Sequence, residues 1–264
     1  MPLPPALAAL EPLAADAPRA AVLVDFDGSL APIVDDPAAA RPLPAARAAL
    51  AGLVPHLGLV AVVSGRPAQF LCDQFPVAGL VHVGLYGLER MVDGERVVDE
   101  RATEWVPAIA AVADELDARL PGLLVERKGE LAVTVHWRAA PGRGDEAAAA
   151  VTEASRRHGL DAPMRGRMAM EVRPPVAVDK GTVTEELVRG MRVAAFAGDD
   201  TGDLPAFAAL LRCCADGRLD AGVRIGVRSP EAPPAVLDAD LVVDGPAGLA
   251  AALDALGRAI TDRA

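Results

Sequence analysis

Residues 21–36 read AVLVDFDGSLAPIVDD. A run of aliphatic side chains ends abruptly in two aspartates, Asp25 and Asp27, with only Phe26 between them. The run reads as a buried strand. Carboxylates at its end repel each other and lose hydration, so either a cation compensates them or the strand reading is wrong. Strand side chains alternate faces, so Asp25 and Asp27 point the same way if strand geometry persists. They then lie beyond the carboxyl end of the strand, where open α/β sheets bind ligands. Gly28 permits a tight turn there.

Outward from this stretch, strand-like and helix-like segments alternate. Residues 20–24 predict a strand, 44–54 a helix, 58–64 a strand, 67–75 a helix and 80–87 a strand. Asp93-Gly94 between two short runs predicts a hairpin over 89–98. This is the rhythm of a parallel sheet with crossover helices. It breaks near residue 102. Helices over 103–120 and 142–159, with strands over 122–138 and 164–174, predict a compact α+β insert. From Lys180 the βα rhythm returns: helix 181–190, strand 192–200, helix 204–211, strands 221–227 and 239–245, helix 246–260.

Composition bounds the function. The 264 residues allow one large domain or two smaller ones, and 52% apolar content excludes a disordered chain. A formal charge of −11 argues against nonspecific nucleic-acid or anionic-membrane binding, while leaving a small phosphorylated ligand open. Three cysteines, odd in number and two of them adjacent, predict a reducing cytoplasm. The first residues lack the basic region of a signal peptide. The longest uncharged stretch, 48–65, is broken by Gly52, Pro55 and Gly58, so it reads as helix then strand and a soluble protein is expected. With 24 arginines, the only lysines are Lys128 and Lys180. They become candidates for sites that need a compact point charge.

A second acid group, FAGDDTGD at 196–203, also follows an apolar run and offers Asp199, Asp200 and Asp203. Alone it reads as a capped turn. Two such groups on core strands point to Mg²⁺, a hard cation with oxygen ligands. Ser64 ends a strand at VVSGRP, where Gly65 opens backbone N–H groups to an anion, and Lys180 opens a helix. A nucleophile, charge neutralisation and positioning groups are the parts of phosphoryl transfer.

DFDGS (25–29), VVSGR (62–66), DKG (179–181) and GDDTGD (198–203) resemble the four ordered motifs of the haloacid dehalogenase-like phosphatases. VGLYGLER (83–90), VERKGELAVTVHWR (125–138) and MAMEVRP (168–174) are similar to stretches of their trehalose-6-phosphate phosphatase family. The resemblance spans about residues 20–245. It implies an α/β fold: a Rossmann-like parallel-sheet core over 1–102 and 174–264, with an inserted α+β C2-type cap over 103–173.

The resemblance further implies that Asp25 attacks phosphorus to form an aspartyl-phosphate, and that Asp27 serves as acid and then base. That dual role calls for an Asp27 pKa raised relative to Asp25. Mg²⁺ would be held by Asp25, the Asp27 carbonyl and Asp199. Ser64 and Lys180 would hold phosphoryl oxygens, with Asp200 and Asp203 behind them. Glu89, Lys128, His136, Arg138 and Glu171 are implied for the sugar, with Arg66 and Arg173 as weaker additions. The implied substrate is trehalose 6-phosphate. Another sugar phosphate, of the sucrose-phosphate or mannosyl-phosphoglycerate type, is the nearest alternative, and a catalytically silent sensor is another. A dinucleotide binder is disfavoured, since no G-x-G-x-x-G follows the first strand. Gly202 and Leu204, Ser29 and Tyr86 depart from the family pattern.

Overall fold

The computed structural model describes residues 3–160, 162–166, 168–229 and 232–263; residue 167, within the strand expected over 164–174, lies outside them. The chain divides into two compact units, Met1–Arg96 with Val178–Ala264, and Val97–Ala177. The strands are β1 (Ala20–Val24), β2 (Leu59–Val63), β3 (Val81–Gly84), β4 (Glu89–Val92), β5 (Glu95–Val98), β6 (Leu124–Lys128), β7 (Ala132–His136), β8 (Met164–Gly166), β9 (Ala169–Val172), β10 (Val193–Gly198), β11 (Ala221–Arg228) and β12 (Leu241–Asp244). The main helices are α1 (Pro44–Leu53), α2 (Ala68–Gln74), α3 (Val106–Arg119), α4 (Gly144–Arg157), α5 (Lys180–Leu187), α6 (Leu204–Ala215) and α7 (Gly245–Thr261).

The first unit is built on a sheet of order β12-β11-β10-β1-β2-β3-β4-β5, parallel from β12 to β3 and antiparallel at β3–β4. The apolar run that opened the sequence is its central strand. Alternate side chains of β1 feed two cores. Ala20, Val22 and Val24 pack with Leu50 and Leu53 of α1 and Leu253 and Leu256 of α7. Ala21 and Leu23 pack with Val183 of α5 and with Phe207 and Leu210 of α6. Burial on both faces is why the strand carries no polar alternation. Each Leu or Val so buried contributes about 1.5–3 kcal/mol. The chain leaves β1 toward β2 on one side and returns through β10 on the other. The reversal places the carboxyl ends of β1, β2 and β10 side by side.

In the second unit the sheet runs β6-β7-β9-β8, all antiparallel. One face carries Val133, Val135 and Val172 into a core with Ile109, Val112 and Leu116 of α3 and Val151 of α4. The single strand expected over 164–174 is in fact two paired strands. Met168 between them has φ 48°, and β8 folds back on β9. The hairpin at Asp93-Gly94 has both residues left-handed, at φ 52° and 83°, the geometry of a primed two-residue turn.

Candidate active site

β1 stops at Val24, so strand alternation ends before it reaches the two aspartates. Each carboxylate is paired with its own cation. Lys180 Nζ donates to Asp25 Oδ1 at 2.5 Å and to Asp203 Oδ1 at 2.6 Å. Lys180 is the first residue of α5, and Asp179 fixes that helix end by accepting from the Thr182 N–H at 2.8 Å. Asp27 instead takes a two-pronged contact from Arg66. Nε donates to Oδ2 at 2.7 Å and Nη2 to Oδ1 at 2.8 Å.

The second acid group closes around Lys180. Asp203 Oδ2 accepts from the backbone N–H of Asp199 at 2.9 Å and of Asp200 at 3.1 Å. Two glycines make room for these carboxyls. A Cβ on Gly198 would lie 2.2 Å from Asp203 Cγ, and one on Gly28 would lie 2.1 Å from Asp199 Oδ2. Asp200 is exposed and caps the turn by accepting from the Gly202 N–H at 2.8 Å.

One oxygen each of Asp25, Asp199 and Asp203 lies within 4.8 Å of the others. Burial pushes the Asp25 carboxyl well above its usual range, Lys180 opposing and Asp203, Asp200 and Asp199 reinforcing. Burial also raises Asp199, with Asp200 and Asp203 adding to it, to about 8. Asp203 is raised by burial to about 6, Lys180 opposing. Burial alone would lower the Lys180 ammonium, but Asp203 and Asp25 outweigh it and hold it well above its usual range. Three buried acids therefore share one lysine and remain short of positive charge. Asp199 Oδ1 is buried without a hydrogen-bond partner among the described residues. Asp203 has both oxygens committed, so the open donors are on Asp25 and Asp199. Hard, undercompensated oxygens fit a divalent cation.

Ser64 directly follows β2 and is buried, its Oγ accepting from the Arg66 N–H at 3.2 Å. Tyr86 closes over this loop. Its N–H donates to Ser64 O at 2.9 Å, and a Cβ on Gly65 would lie 2.6 Å from its ring. Leu85 and Tyr86 are both left-handed, φ 48° and 59°. Glu89, expected to meet the sugar, is buried and engaged in the fold. It accepts from the Ala68 N–H at the start of α2 at 2.6 Å and from Arg96 Nε at 2.5 Å. Arg66, also expected at the substrate, is turned to Asp27. Neither partnership was visible in sequence, because the partners come from separate segments of the chain.

In the second unit, β6, β7 and β9 turn their other face outward from the helices. Glu126, Thr134 and Glu171 pair across it in register. Lys128 Nζ donates to Glu171 Oε2 at 2.5 Å, Thr134 Oγ1 to the same oxygen at 2.9 Å, and His136 Nε2 meets Glu126 Oε2 at 2.8 Å. Glu171 Oε1 is buried without a partner among the described residues. Arg138 follows β7 and is half-buried. The structure thus gathers Lys128, His136 and Glu171 on one face. Thr134 and Glu126 were missed, although the alternation in VTVH (133–136) already pairs Thr134 with His136.

A family model described as Trehalose-phosphatase matches residues 23–228. A trehalose-phosphate phosphatase of Mycolicibacterium paratuberculosis is 40% identical over 203 residues, covering 72% of this chain and 51% of the relative. The chain spans about half the length of the curated relatives it matches, 51% for two of them. Among solved structures, the C-terminal domain of C. albicans trehalose-6-phosphate phosphatase superposes with a TM-score of 0.77 at 23% identity, covering 97% of this chain and 98% of that one. A haloacid dehalogenase-like hydrolase from Bacteroides thetaiotaomicron gives 0.61 at 16% identity, over 89% and 97%. These two likenesses are of fold. With the family match spanning the acid groups of both β1 and β10, the chain belongs to the trehalose-phosphatase family.

Proposed function

We propose that the chain hydrolyses trehalose 6-phosphate to trehalose and phosphate in the cytoplasm, through a covalent intermediate on Asp25. The observation that carries this reading is the buried Asp25–Lys180–Asp203 cluster with the partnerless oxygen of Asp199 beside it. A carboxylate there is shielded from water and aimed by a fixed ammonium. Mg²⁺ would be held by the carboxylates of Asp25 and Asp199 and the Asp27 carbonyl, and when bound it neutralises charge on Asp25 and the phosphoryl oxygens.

Asp25 forms a bond to phosphorus as the bond to the sugar oxygen breaks, and Asp27 gives that oxygen a proton. Asp27 then takes a proton from water as the water attacks phosphorus and Asp25 leaves. Ser64 and Lys180 hold the transferring oxygens, and Asp203 keeps Lys180 in place. The inserted unit acts as the cap and supplies sugar recognition through Lys128, His136, Arg138 and Glu171. The partnerless Oε1 of Glu171 supports this, since a buried acceptor of that kind discriminates strongly for a hydroxyl.

A phosphate-release screen over sugar phosphates with Mg²⁺ tests the reading. The expected result is best turnover on trehalose 6-phosphate and none from Asp25→Asn. Best turnover on a sucrose or mannosyl-glycerate phosphate overturns the substrate assignment, and an active Asp25→Asn overturns the covalent step.

A further inference from the structure

Asp27 lies past the end of β1, in a turn where no regular backbone geometry dictates its side-chain direction. Its carboxyl is 33% exposed, while the Arg66 side chain behind it is 10% exposed. The Arg66 guanidinium is held from every side. Beyond the fork onto Asp27, Nη1 donates to Pro37 O at 2.8 Å. Its carbon lies 5.1 Å from the Phe70 ring centre and 6.0 Å from that of Phe26. Phe26 and Phe70 are themselves locked edge to face, 5.4 Å apart. A planar cation fixed by two aromatic faces and a carbonyl presents a rigid fork.

We propose that Arg66 is a positioning residue that aims the Asp27 carboxyl at the reacting oxygens and does not bind substrate. The inference rests on the acid–base role proposed above for Asp27. Two consequences follow from the geometry. Asp27 has its own countercharge, so Lys180 is left to Asp25 and Asp203. The fork engages each Asp27 oxygen once, which leaves lone pairs for proton transfer while fixing the plane of the carboxyl. Lysine keeps the charge but lacks the fork, so Arg66→Lys should not substitute.

The experiment compares wild type, Arg66→Lys, Asp27→Asn and the double variant, on trehalose 6-phosphate and on p-nitrophenyl phosphate. The sugar alkoxide needs a proton to leave, and p-nitrophenolate does not. The expected result for Arg66→Lys is a kcat on trehalose 6-phosphate lowered about 10²-fold or more, with KM little changed. Release of p-nitrophenolate in the first turnover stays near wild type. In the Asp27→Asn background Arg66→Lys costs nothing further, because the two act as a unit. A raised KM at unchanged kcat makes Arg66 a substrate ligand and overturns the proposal, as does an equal loss in both backgrounds. If Arg66→Lys fails to fold, Phe70→Leu, which loosens the fork from behind, should show the same split more weakly; an unchanged kcat there also overturns it. A wild type that ignores trehalose 6-phosphate but turns over p-nitrophenyl phosphate removes only the substrate reading. The double-mutant cycle on multiple turnovers then still decides Arg66, since Asp27 must deprotonate water in each cycle.

Discussion

At the scale of single residues, the site depends on groups too small to carry chemistry. Gly28 has φ +82°, and a Cβ there would meet Asp199 Oδ2 at 2.1 Å. An alanine incurs both the left-handed backbone penalty and displacement of a buried carboxylate. Gly28→Ala should lose about 1–3 kcal/mol of stability and most of its stabilisation by Mg²⁺. Urea melts with and without Mg²⁺ check this; wild-type midpoints in both would show that Asp199 yields without consequence. The convergence of Asp25, Asp199 and Asp203 was legible in sequence, because two acid groups each follow an apolar strand. The pairing of Asp27 with Arg66 was not, since the two residues lie on separate loops 39 positions apart. The bond from the Ala68 N–H to Glu89 was not legible either, since it joins the start of α2 to β4 across 21 residues.

At the scale of elements, β3 carries a test of how the sheet tolerates a titratable group. His82 is buried on this strand, and its Nε2 meets Phe75 O at 2.9 Å. The carbonyl can only accept, so Nε2 carries the proton. Burial lowers the His82 pKa below its ordinary value of 6.5, the bond to Phe75 opposing. The folded state thus prefers the neutral ring. Above the unfolded-state pKa both states are neutral and nothing is lost. As pH falls below about 6.5 the unfolded chain takes a proton the folded one resists, and stability falls until the folded pKa is passed. Wild type should therefore lose more stability between pH 7.5 and 5 than His82→Gln, read as the change in urea midpoint. Equal slopes would show that the ring is hydrated in the folded state. Most elements were legible from periodicity, including the Asp93-Gly94 hairpin. One exception is β8 and β9, read as one strand: Gly166 precedes the reversal, but the left-handed residue is Met168, at φ 48°, a side chain that does not announce a turn.

At the scale of the whole molecule, alternating βα segments announced a parallel sheet, and the α+β rhythm announced an insert. The order of the sheet could not be read, because β10 pairs with β1 across more than 160 residues of chain, Ala20 with Val193. That one pairing brings Asp199 to Asp25 and creates the charge imbalance on which the last prediction turns. Three buried acids share Lys180, and Asp199 keeps an oxygen without a partner among the described residues. A cation that binds the folded chain and not the unfolded one must stabilise it by mass action. At 100 times Kd that is about 2.7 kcal/mol, or roughly 5–10 °C in apparent Tm for a chain of this size. Stripping metal with EDTA should lower Tm by that amount, and Mg²⁺ should restore it. Asp199→Asn should behave in the opposite sense in each condition. It removes a carboxyl that the metal-free fold holds far from its ordinary pKa, a cost an amide does not carry, so in EDTA it should melt above wild type. It also removes an open donor, so added Mg²⁺ should barely shift it. A crossing of the two melting series, wild type higher with Mg²⁺ and Asp199→Asn higher without, is the expected signature. If Asp199→Asn is the less stable in both conditions, Asp199 is a structural acid with a partner of its own and the cation is held elsewhere.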